Sequence, residues 1–250
     1  MPINRNSNLP LYAQLTDTLR DRIESGELAV GMQLPSEQEL CRTYGVSRTV
    51  VRQALNELHL AGLIRKQRGK NTFVAGAKLE QTWVNKITGF YQYMAEKGHV
   101  LVTHVLGQEL IPANAQIASY LNISQGVSVI WIKRLRFVDG EPIQLVDSYV
   151  PYAVCPDLLN EDLTNQSLTA YLESKGLVST KGRRTLESIS ANEYQAQLLK
   201  IEKGAPLMLL DAVFCVSDGT PVAYSKAVYR GDLTRFEVDL VRIAKSNPSP

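Results

Sequence analysis

The stretch Leu34 to Val74, LPSEQELCRTYGVSRTVVRQALNELHLAGLIRKQRGKNTFV, permits few folds. Ser36 and Glu39 stand at capping-box spacing, so a helix starts at Ser36 and carries Leu40 inward. Gly45 tolerates the left-handed conformation that ends such a helix. Ser47 then caps a second helix, on which Val51, Ala54, Leu55 and Leu58 share one apolar face. Arg48, Thr49, Arg52, Gln53 and Asn56 are left on its other faces. After Gly62 the run Leu63 to Val74 reads as a strand, a basic turn and a returning strand. Two helices joined by a tight turn, followed by a two-stranded wing, predict a winged helix-turn-helix.

Charge agrees with that reading. From Arg48 to Lys70 there are six basic residues and one acid, Glu57. They fall on the second helix and the wing tip, the two elements that approach a duplex in such a fold. A solvated basic face on a small helical domain is the bland alternative. The candidate DNA-contacting set is Ser36, Gln38, Ser47, Arg48, Thr49, Arg52, Arg68, Gly69 and Lys70. Arg48 and Arg52 are the candidates for bases and adjacent phosphates, Thr49 for backbone positioning, and Arg68, Gly69 and Lys70 for the minor groove.

The stretch resembles the GntR family of bacterial transcription regulators. The matching residues are Leu34-Pro35-Ser36-Glu37, Gly45-Val46-Ser47-Arg48, Val51-Arg52-Gln53-Ala54-Leu55, Gly62-Leu63 and Gly69 with Thr72-Phe73-Val74. Upstream the match continues through Pro10-Leu11-Tyr12 and Gly26. Two positions depart from the pattern. Asn71 stands where a wing glycine is usual, and Val50 stands where threonine is frequent. The valine replaces a hydroxyl with an apolar group suited to a thymine methyl.

At 250 residues the chain has room for about two domains. The net charge of +2 is small, so the basicity is local. Cys41, Cys155 and Cys215 are odd in number and widely spaced, with no CxxC pair, which favours a reducing cytoplasm over a disulfide framework. No apolar run approaches the ~18 residues of a membrane span. The organisation expected is residues 1–76 as the DNA-binding domain, 77–82 as a linker, 83–245 as an effector-binding and dimerisation domain, and 246–250 as a disordered tail.

Before the central stretch, Leu11, Leu15, Leu19 and Ile23 recur every four residues and predict a supporting helix. Beyond the linker the pattern alternates. Helices are expected around 88–97, 112–121, 167–175 and 192–200. Strands are expected at 100–111, 127–138, 142–150, 183–190, 207–216 and 222–229, with a last one through Phe236, Val238 and Leu240. Asp139-Gly140 and Asp218-Gly219 are hairpin turns. Each is followed closely by proline, and this echo suggests a sheet of two related halves; the alternative is that Asp-Gly-x-Pro is simply a good turn. The fold class expected is α+β with an antiparallel sheet.

Arg134 and Arg136 lie two apart on a strand and so project to one face, with Ile130 and Ile132. Two adjacent guanidinia suit a carboxylate or phosphate between them. The alternative is a solvent-facing pair, or one matched by Glu141 or Asp147. Residues 83–243 resemble the UTRA ligand-binding domain of the HutC subfamily, which has a chorismate-lyase-like fold. The carrying residues are Arg134-x-Arg136, Gly140-Glu141-Pro142, Ser148-Tyr149-Val150-Pro151, Lys203-Gly204-Ala205-Pro206 and Tyr229-Arg230-Gly231-Asp232. The resemblance implies that the paired arginines hold an effector's phosphate or carboxylate, that Thr88, Gly89 and Phe90 supply further contacts, and that Ser167 and Tyr229 line the pocket. Acids that read sugar hydroxyls in some members are replaced by Val146 and Ala223, which favours an anion with fewer hydroxyls.

The function implied is a cytoplasmic, homodimeric transcription regulator, a repressor. It would bind an inverted-repeat DNA operator, respond to a small anionic metabolite and need no cofactor. Two other readings compete with it. A lyase-like enzyme would need catalytic motifs, and HExxH, GxSxG and a phosphate loop are all missing. A metal-dependent regulator with an all-helical ligand domain would need clustered histidines, whereas His59, His99 and His104 are scattered.

Overall fold

The computed structural model describes residues 3–5, 7–66, 71–76, 79–81 and 90–238. Helix α1 (Leu11–Glu24) follows Pro10 and buries Leu15 and Leu19 completely. Helix α2 (Glu37–Tyr44) opens with the expected capping box. The Glu39 amide donates to Ser36 Oγ at 3.3 Å and the Ser36 amide donates to the Glu39 carboxylate at 2.7 Å. Gly45 closes it at φ 64°. Helix α3 (Arg48–Leu60) is capped by Ser47, whose Oγ accepts from the Val50 amide, and its buried residues are Val51, Ala54, Leu55 and Leu58. These side chains pack with Leu15, Leu19, Leu40 and Ile64 into one core.

Strand β1 (Ile64–Lys66) pairs antiparallel with β2 (Thr72–Val74), giving the wing. Gln33 bridges to Phe73 and the Leu34 amide donates to Thr72 O, so the loop before α2 is tied to the wing. Residues 67–70, and with them Arg68, Gly69 and Lys70, lie outside the described residues.

The second domain is a six-stranded antiparallel sheet in the order β4-β5-β6-β9-β8-β7. Its strands are β4 (Leu101–Pro112), β5 (Ser128–Val138), β6 (Glu141–Pro151), β7 (Lys181–Ser190), β8 (Pro206–Cys215) and β9 (Pro221–Arg230). Among the described residues, four α-helices cover it. Helices α5 (Ala115–Leu121) and α7 (Glu193–Leu199) pack on one face, against Val129 and Tyr224 and against Leu135, Leu145 and Val228. Helices α4 (Phe90–Glu96) and α6 (Leu168–Ser174) pack on the other, in two clusters that contain Val146 and Tyr229 in one and Ile130 and Ile132 in the other. The architecture is α+β, as the sequence predicts.

The sheet is built from two copies of one unit, strand-helix-strand-strand. Several local features recur in both copies. Asn114 caps α5 and Asn192 caps α7, and each helix ends on a non-glycine residue in the left-handed region, Asn122 at φ 51° and Lys200 at φ 55°. The Gly126 amide donates to Ala113 O and the Gly204 amide to Ala191 O, both at 2.8 Å. The register of β5 against β6 shifts after Arg136, and that of β8 against β9 shifts after Phe214. The turns differ. Asp139 and Gly140 both take positive φ, whereas only Gly219 does so in the second hairpin.

Three local expectations differ from the structure. Within the expected linker, Leu79–Gln81 form strand β3, which pairs parallel with β10 (Thr234–Phe236). The last strand therefore lies earlier than the alternation of Phe236, Val238 and Leu240 suggests; Val238 is exposed and Leu240 is outside the described residues. A 3-10 helix (Pro156–Asn160), started by Pro156, packs Leu158 beneath the sheet where no element was expected.

Candidate nucleic-acid face and candidate anion pocket

Arg48 and Arg52 sit one turn apart on the outer side of α3, with side chains 68% and 64% exposed. Both are held by one carboxylate. Glu37, in the first turn of α2, accepts from Arg48 Nε at 3.0 Å and from Arg52 Nε at 3.0 Å. Ser36, Gln38, Thr49, Gln53 and Asn56 border the same groove, and Asn71 closes it from the wing side. Ser36 and Ser47 spend their hydroxyls as helix caps. Glu37 was not expected as a partner of the arginines, although its place at the start of α2 opposite α3 follows from the helix-turn-helix itself. Glu202, from the turn after α7 in the second domain, also borders this groove.

The other candidate site lies on the α4/α6 face of the sheet, between the two clusters there. Arg134 and Arg136 are 2% and 6% exposed. Strand alternation puts both on this face, and register places Val146 opposite Arg134 and Gln144 opposite Arg136. Arg134 Nη2 donates to Ser148 Oγ at 3.3 Å, and Arg136 Nη1 donates to Gln144 Oε1 at 3.0 Å. Arg134 Nε and Nη1 and Arg136 Nε have no hydrogen-bond acceptor among the described residues. Neither Asp147 nor Glu141 reaches the pair. Asp147 points to the opposite face, accepting from Trp131 Nε1 at 2.8 Å and pairing with Lys133 at 3.3 Å. Glu141 pairs with Arg65 and Arg230.

Burial without a counter-ion is costly for a charged group. It lowers Arg136 to about 10, and it pulls Arg134 well below the usual arginine range, with the charge of Arg136 adding to the effect. The guanidinium of Arg136 lies 5.3 Å from the centre of the Phe90 ring, a cation-π contact that offsets part of the cost. Tyr229, fully buried, is tilted against Phe90 at 5.9 Å and is pushed up by desolvation, so its phenol stays protonated.

The space these groups surround is about 690 Å³, part of it open to solvent. Phe90, Arg134, Arg136, Ser167 and Tyr229 all line it, so the structure brings together five of the seven expected effector residues. Ser167 also caps α6 through the Ala170 amide. Thr88 and Gly89 lie outside the described residues. Val146 and Ala223 form apolar wall. No acidic residue lines the cavity among the described residues. Sequence reasoning missed Gln144 and Ser148, whose signal is their place opposite Arg136 and Ile132 on the paired strand, and it missed a third arginine, Arg184 on β7.

Two known families match the chain. Residues 11–74 match the bacterial regulatory proteins of the gntR family, and residues 96–235 match the UTRA domain. The HTH-type transcriptional repressor NagR of Bacillus subtilis (strain 168) is 32% identical over 94% of this chain and 97% of its own length. The histidine utilization repressor of Pseudomonas putida is 31% identical over 91% of each chain. The crystal structure of PhnF from Mycobacterium smegmatis superimposes with a TM-score of 0.65 at 24% identity, covering 90% of this chain and 98% of that one.

Proposed function

Because the chain belongs to the GntR family of bacterial regulatory proteins and carries a UTRA domain, we propose that it is a repressor whose DNA affinity is set by a small anion held between Arg134 and Arg136. It is a regulator rather than an enzyme, as its relatives are named transcriptional repressors. The six-stranded sheet removes the reading of an all-helical ligand domain.

The observation that carries the proposal is the buried arginine pair. Two guanidinia at 2% and 6% exposure, with three nitrogens lacking an acceptor and no acid in the cavity wall among the described residues, form a site that is completed by an anion. A phosphate or carboxylate supplies the missing acceptors and cancels the repulsion between the two cations. Arg48, Arg52 and Thr49, with the wing, supply the duplex-binding face. A homodimer mirrors its two-fold axis in an inverted-repeat operator. The anion acts through its different affinity for two arrangements of the heads.

The test is fluorescence anisotropy on DNA from upstream of the protein's own gene, at fixed salt, with a panel of small phosphates and carboxylates. The expected result is that one anion changes DNA affinity tenfold or more, a coupling of about 1.4 kcal/mol. Arg134→Ala abolishes that change while DNA binding persists. DNA binding that responds to no anion, or that responds equally in Arg134→Ala, rejects the proposal.

A further inference from the structure

Arg184 enters the same cavity from the far edge of the sheet. Cross-strand register shows how. Ile132 on β5 faces Ser148 on β6, Ser148 faces Ser225 on β9, Ser225 faces Ala212 on β8, and Ala212 faces Arg184 on β7. Strand alternation therefore puts Arg184 on the face that carries Arg134 and Arg136. Its neighbour Arg183 projects to the other face. The strands that carry the two arginine positions are four spacings apart, about 19 Å across a flat sheet. The guanidinium of Arg184 lies over the Phe214 ring, 5.5 Å from its centre. Its Nε and one terminal nitrogen are shielded from solvent.

The floor between the two ends is small and nearly uncharged. Val146, Ala227 and Leu210 run in one row from Arg134, and Ser148, Ser225 and Ala212 form the neighbouring row that ends at Arg184. A one-headed anion uses only the end at Arg134 and Arg136. It leaves a second cation facing the cavity across a floor that offers two serine hydroxyls and otherwise methyl groups. The two halves of the sheet contribute unequally, the first giving the arginine pair and the second a single arginine.

We propose that the ligand of this pocket is a two-headed anion: one phosphate or carboxylate between Arg134 and Arg136, a second carboxylate at Arg184, and a short body with few hydroxyls joining them. The proposal rests on the anion reading given above and adds the second head. Arginine suits the second position because its planar fork takes a carboxylate bidentately. The separation of the two anchors makes the site a length gauge. A body too short leaves one head unbound, and a body too long must buckle against Leu210 or Phe214.

The experiment is isothermal titration of the full chain with inorganic phosphate, with alkyl phosphates of two to five carbons, and with the same chains ending in a carboxylate. At one length the carboxylated compound binds at least tenfold more tightly than its alkyl counterpart. In Arg184→Gln that advantage disappears, and in Arg184→Lys, which keeps charge but loses the fork, it is reduced. Melting curves and circular dichroism of both variants establish that they fold, and the length dependence in the unsubstituted protein stands independently of them. The absence of an advantage at every length, or an advantage that survives in Arg184→Gln, overturns the second head. If inorganic phosphate and every alkyl phosphate fail to bind the unsubstituted protein, the anion site at Arg134 and Arg136 falls, and the second head falls with it.

Discussion

Arg65, in the first strand of the wing, is ion-paired with Glu141, the first residue of β6 after the hairpin turn of the ligand domain. The same carboxylate takes Arg230 Nη1 at 3.4 Å, and Arg230 is held in turn by Asp232 at 2.7 Å. Arg230 follows Tyr229 on β9, and Tyr229 is a wall of the arginine pocket. A single carboxylate therefore joins the wing to a strand that lines the pocket. Its pair with Arg65 is only partly exposed, at 22% and 31%, so solvent screens it less than a surface pair.

Glu141→Gln cuts that connection without changing the shape of the hairpin. The expected outcome is a smaller anion effect on DNA binding, a loss of about 0.5–2 kcal/mol of coupling. Anisotropy titrations with and without inorganic phosphate, on the same duplex, measure it. Equal coupling in the variant shows that the wing and pocket communicate by another route.

The arginine pair sets stability against binding. Arg134→Met replaces a buried, incompletely partnered cation with an apolar chain of similar length beside Val146, Leu210 and Ala223. By analogy with buried ion pairs replaced by apolar residues, the ligand-free protein gains about 1–4 kcal/mol, at about 2–4 °C per kcal/mol in a chain of this size. Anion binding is lost at the same time. The sign follows from the direction of the shifts. Arg136 is lowered to about 10, and Arg134 is lowered too, so the unfolded chain holds these protons more tightly than the folded one. For Arg136 the penalty is present at neutral pH and fades as pH rises through about 10; for Arg134 burial acts in the same direction. Melting curves of the two proteins at pH 7, with and without phosphate, test it. Phosphate raises the melting temperature of the unsubstituted chain alone.

What the sequence reveals here follows from how local each determinant is. Caps and periodicity act within a few residues, so Ser36, Gly45, Ser47 and the apolar face of α3 place the first three helices almost to the residue. Arg134 and Arg136 are visible as a pair because strand alternation needs no partner strand. Arg184 is not, because Arg183 stands beside it and only pairing with Ala212 decides which of the two faces the cavity. Strand β3 is hidden for the same reason: three residues pair with β10 across more than a hundred positions of chain. The duplication shows at its hairpins, yet its fuller signal, Ala-Asn before each helix and Leu-x-Ile after it, is masked by Asn122 and Lys200 in a conformation that glycine usually takes. Glu141 looked available to the arginine pair, but its place at the hairpin tip turns it toward the wing.

Arg52 and Glu37 give a separable test of the DNA face. Arg52→Ala removes one cation from the outer side of α3. The expected cost is about 1–3 kcal/mol if the contact is to a base, and for a phosphate contact a salt slope shallower by about 1. Glu37→Gln acts in the opposite direction, because it releases both guanidinia from a carboxylate that competes with DNA. Affinity for a random duplex rises several-fold, and the ratio of operator to random binding falls as the two forks lose their common anchor. Stability changes by under about 1 kcal/mol, since the pairs are exposed and only an N-terminal helix charge is lost. Paired binding curves on operator and scrambled DNA at two salt concentrations separate the two effects.

Glu202 makes the arrangement of the two domains itself testable. It belongs to the ligand domain, yet it borders the groove formed by α2, α3 and the wing. A duplex entering that groove meets a carboxylate among the arginines, and the like-charge repulsion must be relieved by moving one domain away from the other. Glu202→Gln removes the repulsion and leaves Arg134, Arg136 and Arg184 untouched. The expected result is DNA binding several-fold tighter in the absence of any anion. Linkage adds a second readout: whatever favours the DNA-bound arrangement must change the affinity of the pocket for its anion by a matching factor if that arrangement is the one the anion opposes or favours. Phosphate titrations of Glu202→Gln with and without DNA measure that factor. An unchanged DNA affinity shows that the duplex never meets Glu202, and that the heads bind DNA in an arrangement with this groove already clear.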